Sequence, residues 1–152
     1  MNNWSVDIYN KAWFFATVAH QGQTYGGPFA GMQIDYINHI GSVAIEILWT
    51  LNHSSAQYNV NLAIQCALLH DVLEDTKYTY KDIDERFGTE VANGVLALTK
   101  NKNIESREEK MLDSLTRIKQ QPSEVWMVKL ADRITNLYHP PYYWNNAKKR
   151  FT

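Results

Sequence analysis

Apolar residues recur along this chain at three-and-four spacing, and no segment of useful length alternates apolar with polar. Chains patterned this way bury one stripe per helix and lack the two-faced strands that a sheet needs. The expected fold class is therefore all-α, a compact multi-helix bundle. Helices are predicted over about residues 6–20, 36–51, 59–75, 79–88, 90–98, 106–120 and 124–137. Thr79 with Asp82 and Ser106 with Glu109 have N-terminal capping spacing, while Gly88, Pro122-Ser123 and Pro140-Pro141 are stop signals. Residues 21–32 hold four Gly and Pro28 and read as a loop. No repeat, low-complexity tract or flexible linker divides the 152 residues, so a single domain over 1–152 is expected.

Composition narrows the function classes. With 45% hydrophobic and 20% charged residues the chain can offset its conformational entropy by burial. Lys+Arg (15) and Asp+Glu (16) nearly cancel, which argues against a nucleic-acid polymer as partner. A lone Cys66 forms no internal disulfide, and residues 1–9 lack signal-peptide features, so a cytoplasmic location is expected. No apolar run approaches the roughly 20 residues that span a bilayer, so no membrane role is expected. The five Trp residues are read as core and interface, and a homo-oligomer is compatible with that reading.

The most informative segment is 59–75. Leu62, Cys66, Leu69 and Leu73 form one stripe, and Ile64 and Leu68 are apolar on another side, so this helix should be buried around most of its circumference. Its end is different. On a continuous helix His70, Asp71, Glu74 and Asp75 share the remaining side, and three carboxylates in a last turn oppose the helix dipole at roughly 0.3–1 kcal/mol each when exposed. A cation should compensate. Lys77 or Arg86 would do so if this were an ordinary solvated helix end.

Two other helices weigh against that. His39 lies at the edge of the apolar stripe Ile40, Val43, Ile47 and Leu51. Lys129, Asp132, Arg133 and Asn136 form a polar wedge on a helix whose Met127, Leu130, Ile134 and Leu137 are expected to face the core. His39, His70, Asp71 and Asp132 together supply two imidazoles and two carboxylates. Mixed nitrogen and oxygen donors without a thiolate suit an open divalent site for manganese or iron better than a closed structural zinc.

In this order the residues resemble the HD superfamily of metal-dependent phosphohydrolases. Tyr36-Ile-Asn-His39, Ala67-Leu-Leu-His-Asp-Val-Leu-Glu-Asp-Thr76, Phe87-Gly88 with Val91, Leu98-Thr-Lys100 and Val128-Lys-Leu-Ala-Asp-Arg-Ile-Thr-Asn-Leu137 resemble the hydrolase domain of RelA/SpoT homologues, in particular stand-alone small alarmone hydrolases. The resemblance implies an HD-domain bundle that removes the 3′-pyrophosphate of (p)ppGpp, giving GDP or GTP and pyrophosphate, with bound Mn2+. By position it makes His39, His70, Asp71 and Asp132 metal ligands. Glu74 and Asp75 become the catalytic acidic pair, and Asn136 lies near the ribose. Glu74 can orient or deprotonate a water, and Asp75 can do the same or hold the proton for the leaving oxygen. Lys129, Arg133 and Lys100 are further candidates for a polyanionic substrate.

Two departures stand out. Residues 21–38 contain no Lys or Arg, where the family places a basic residue against guanine, so Tyr25 or Phe29 is expected to stack on the base. The family also continues through further helices after the equivalent of Leu137, so a short variant or partial chain is expected. The missing basic residue motivates an alternative reading, an HD nucleotidase acting on another nucleotide. A non-catalytic antitoxin-like binding module is a third, opposed by the presence of every ligand and both acids.

Overall fold

The computed structural model describes residues 4–150. Helices form close to the predicted places: α1 Val6–Ala19, α2 Ile37–His53, α3 Val60–Leu69, α4 Val72–Asp75, α5 Tyr80–Phe87, α6 Thr89–Leu98, α7 Arg107–Ile118, α8 Ser123–Tyr138 and α9 Asn146–Arg150. Side-chain chemistry sets several ends. Thr79 accepts from the Asp82 N–H while the Asp82 carboxylate accepts from the Thr79 N–H, closing a capping box. Ser106 caps α7 through the Glu109 N–H, and Gly88 ends α5 at φ +89°, where an L side chain would be strained.

The core is built around α3. Leu62, Ala63, Ile64, Cys66, Ala67, Leu68 and Leu69 are all buried, and α3 packs against α1, α2, α6 and α8. Ile40, Val43, Ile47 and Leu51 of α2 are buried as their stripe predicts. Burial pushes the Cys66 thiol far up, with Glu90 and Glu124 adding to it, so the residue packs rather than reacts. Among the described residues no helix is long and apolar enough to cross a membrane.

The structure corrects the sequence reading in several places. Part of the Gly-rich stretch is a hairpin, with β1 (Thr24–Gly26) antiparallel to β2 (Gln33–Asp35) and Tyr25 opposite Ile34. Strands of three residues are too short to show alternation. The helix predicted over 59–75 is broken at His70-Asp71. The His70 Nδ1–H donates to Ala67 O at 2.8 Å, occupying the acceptor that a continuing helix would offer the Asp71 N–H. On α8 the predicted face is wrong. Glu124, Val125, Val128 and Ala131 are buried, Met127 is partly so, and Leu130, Ile134 and Leu137 are exposed. Two apolar stripes run along this helix, and Glu124 Oε1, accepting from the Asn59 N–H at 2.6 Å, helps turn the first inward. Asp132, one turn beyond Val128, therefore sits at the edge of the buried face. Trp4, Trp49 and Trp126 are exposed rather than core.

After α8 the chain returns to the hairpin. Tyr142 N–H donates to Gly27 O at 3.1 Å, and Gly26 lies under the Tyr143 ring, where a Cβ would come within 2.7 Å. A last short helix starts at Asn146.

Gly94 of α6 has a similar packing role, since a Cβ there would lie 2.7 Å from Cys66 Sγ and 3.0 Å from Val125 Cγ2. Gly94→Val is expected to cost on the order of 1–3 kcal/mol by overpacking, despite relief of the glycine penalty in a helix. Urea unfolding should show a lower midpoint at unchanged slope. An unshifted midpoint would mean that the α3–α6–α8 contact yields freely.

Candidate metal centre

Four side chains meet where the start of α2, the end of α3 and the middle of α8 converge. His39 and His70 are 7% and 3% exposed. His39 Nε2 lies 3.3 Å from Asp132 Oδ1 and 3.7 Å from Asp71 Oδ2, and His70 Nε2 lies 2.9 Å from Asp71 Oδ2 and 4.0 Å from Asp132 Oδ1. Donor atoms of His39, His70 and Asp132 fall within 4.8 Å of one another. Because a carbonyl can only accept, the bond to Ala67 O places a His70 proton on Nδ1 and turns Nε2 toward the cluster. That nitrogen is buried without a hydrogen-bond partner, its approach to Asp71 lacking hydrogen-bond geometry. An imidazole held by a backbone carbonyl at one nitrogen, with its other nitrogen turned among carboxylates, is the arrangement of a metal ligand. His39, His70, Asp71 and Asp132 fit a divalent ion of hard-to-borderline character.

The surroundings manage the charge. Burial alone would lower His70, but Asp71 and Asp132 outweigh it and raise the imidazole to about 9. Burial works against the ionised carboxyls, yet the histidines and, at Asp71, the Tyr36 hydroxyl hold them below the usual carboxylate range. Asn136 Nδ2 donates to Asp132 Oδ1 at 2.7 Å, and Lys129 Nζ lies 3.3 Å from Asp132 Oδ2.

The acidic pair lies at the side of this cluster. Glu74 is held by Lys100, whose Nζ and backbone N–H each donate to it at 3.0 Å, and Lys102 Nζ donates to Glu74 O. Burial lowers the Lys100 ammonium, but Glu74 more than offsets this and its pKa ends above normal. Among the described residues no cation is bound to Asp75 in this way. Its carboxyl is raised by desolvation and by the charges of Asp71 and Glu74.

These groups open into a cavity of about 530 Å³, ordinary for a small-molecule site. Tyr25, Lys100, Lys129 and Asn136 line it. Tyr25 stands edge-on to His39 at 6.4 Å and its hydroxyl accepts from Asn38. Arg133 is not on the cavity wall, and its guanidinium donates to Arg150 O at 2.6 Å. Phe29 is 71% exposed and also lies outside it.

Sequence reasoning missed Tyr36. Its hydroxyl donates to Asp71 Oδ2 at 2.6 Å and lies 3.4 Å from Asp75 Oδ2, joining the metal site to the acid. Burial and these carboxylates push the phenol far up, so it stays a donor at any working pH. Its position three residues before His39 on the incoming turn of α2 was the available signal.

A helical bundle with this donor set defines a divalent-metal-binding helical domain. The chain belongs to the HD domain family, whose profile matches residues 12–149. It is 29% identical over 139 residues to a guanosine-3′,5′-bis(diphosphate) 3′-pyrophosphohydrolase of Drosophila melanogaster, covering 89% of this chain and 73% of that protein. The corresponding Danio rerio enzyme is 33% identical over 125 residues, covering 81% of this chain and 63% of that protein. The bifunctional (p)ppGpp synthase/hydrolase SpoT of Escherichia coli is 34% identical over 134 residues, 84% of this chain but only 17% of that protein. The fold is shared with the solved structure of a metazoan SpoT orthologue described as hydrolysing ppGpp. The TM-score is 0.77 at 23% identity, over 97% of this chain and 80% of that one.

Tyr36→Phe deletes only the hydroxyl. Divalent-metal affinity, read by calorimetry, is expected to fall about 10- to 100-fold, with the thermal midpoint little changed. Undiminished affinity would assign Tyr36 to packing alone.

Proposed function

We propose that this protein is a manganese-dependent hydrolase that removes the 3′-pyrophosphate of guanosine alarmones, taking (p)ppGpp to GDP or GTP plus pyrophosphate. The observation that carries the proposal is the unanswered Nε2 of His70 facing His39 and Asp132, in a chain similar over most of its length to hydrolases of that name. Iron or another divalent ion is the alternative to Mn2+, and mixed imidazole and carboxylate donors suit either.

A divalent ion held by His39, His70, Asp71 and Asp132 supplies Lewis acidity, offsetting charge on the phosphoryl oxygens and making water more acidic. The protein's own groups do the rest. Asp75, with its raised pKa and no bound cation, takes the proton of the attacking water and returns it to the ribose 3′-oxygen as the bond to phosphorus breaks. Glu74 holds Lys100 against the departing pyrophosphate. Asn136, anchored through Nδ2, keeps its carbonyl oxygen for the ribose, and Tyr25 offers a ring face to the base. Lys129 offsets charge at Asp132, and Arg133 acts at most through the terminal segment to which it is tied.

A second reading, an HD nucleotidase on another nucleotide, is favoured by one observation: hairpin residues 21–38 contribute no cation to the cavity. The antitoxin-like module has less support, because ligands and acids converge intact. A cytoplasmic location remains the proposal from the lone Cys66. A homo-oligomer finds support in the exposed stripe Trp126, Leu130, Ile134 and Leu137.

The decisive assay is a panel of ppGpp, pppGpp, ppApp and NADPH with and without manganese. Manganese-dependent release of pyrophosphate from ppGpp and pppGpp is expected; cleavage of another nucleotide alone would select the second reading. Asp75→Asn should lower kcat about 10²- to 10⁴-fold at unchanged metal content, whereas His70→Ala should lose the metal itself. Full turnover in either variant would refute the assigned roles.

A further inference from the structure

His20 follows the last turn of α1 and is only 2% exposed, yet it belongs neither to the metal cluster nor to the cavity wall. Its Nδ1 lies 2.8 Å from Gln23 Oε1, while its Nε2 is buried with no hydrogen-bond partner among the described residues. An apolar ring would fill this place without leaving a nitrogen unanswered. What the histidine adds is the bond from Nδ1.

Gln23 stands at a junction of three segments. Its side-chain Nε2 donates to Asp75 O at 2.8 Å, and its backbone carbonyl accepts from the Tyr36 N–H at 2.9 Å. The Tyr36 hydroxyl in turn lies 3.4 Å from Asp75 Oδ2. These contacts close a ring through the loop after α1, the start of α2 and the end of α4. The Asp75 carbonyl can only accept, so the amide nitrogen of Gln23 faces it and Oε1 faces His20, whose Nδ1–H therefore donates. The His20 ring also packs beside Tyr36, with centroids 5.0 Å apart.

The backbone of α4 needs such support. It is four residues long, and its bonds from the Glu74 and Asp75 N–H groups to Asp71 O and from the Thr76 N–H to Val72 O make a single turn. One turn holds little by itself. Lys100 and Lys102 tie Glu74 to the segment after α6, and Gln23 ties Asp75 to the segment after α1.

We propose that His20 and Gln23 are positioning residues for Asp75: Gln23 fixes the end of α4 so that the Asp75 carboxyl keeps its place on the cavity wall, and His20 fixes the Gln23 amide. The inference rests on the hydrolase reading, in which Asp75 moves the proton. Neither residue lines the cavity, so both act through Asp75 rather than on the substrate.

The test uses the manganese-loaded full chain with ppGpp. Gln23→Ala should lower kcat about 10- to 100-fold by misplacing the acid, with KM and metal content unchanged. In an Asp75→Asn background the same change should cost nothing further, because an amide leaves no proton transfer to position. His20→Ala should lower kcat as Gln23→Ala does, and His20→Asn, whose amide can donate in place of Nδ1, should recover most of the loss. Should Gln23→Ala fail to fold, Gln23→Glu replaces it, keeping the acceptor for His20 and removing the donor to Asp75. Undiminished kcat, losses that add to that of Asp75→Asn, or a loss confined to KM or metal content would overturn the proposal. If no nucleotide is cleaved, the hydrolase reading fails and the support of α4 is judged by amide hydrogen exchange. Faster exchange over residues 72–76 in the Gln23 variant, with 60–69 unchanged, then sustains it, and equal exchange over 72–76 overturns it.

Discussion

Two carboxylates inside a helical core are the constraint around which the rest is arranged. Asp71 and Asp132 each keep less than a fifth of their side-chain surface exposed, and their mutual repulsion grows as water is removed. Every polar neighbour answers that charge: His39 and His70, the Tyr36 hydroxyl, Lys129 and the Asn136 amide. The rise of His70 to about 9 means that a proton serves as the compensating charge when no divalent ion does.

That constraint also shapes the backbone. α3 is so completely buried that it cannot carry an acidic turn onward inside the core, and it ends where His70 takes the Ala67 carbonyl. The break separates Asp71, turned toward the histidines, from Glu74 and Asp75 on α4, which reach the mouth. On an unbroken helix Glu74 would stand one turn above His70 as a partner in the cluster. Here it faces Lys100 instead, and Asp75 becomes the acid without a bound cation.

Features with a local or periodic signature were legible in the sequence. The α2 stripe, the all-round burial of α3 and the caps at Thr79 and Ser106 each follow from residues within two turns of one another. The four proposed ligands were legible because two imidazoles and two carboxylates at those positions resemble a known family. Other features depend on partners far away in the chain. Tyr36 matters because of Asp71, 35 residues on, and three-residue strands give too few positions for a period. The α8 face was misread because both of its stripes are apolar, and the choice between them involves Asn59. Arg107, Lys110 and Ser114 look like a solvated helix face until α7 is seen lining the cavity.

The near-zero net charge is the last of these and the most instructive. Asp71, Glu74, Asp75 and Asp132 gather at one end of the cavity, while among the described residues Arg107 and Lys110 on its wall have no ion-pair partner. His39, His70, Lys100 and Lys129 answer part of the acidic charge, and a divalent ion would answer more of it. A balance of charge that argues against a nucleic-acid polymer is therefore compatible with strong local fields, because it is their arrangement within the cavity, not their sum, that selects the ligand.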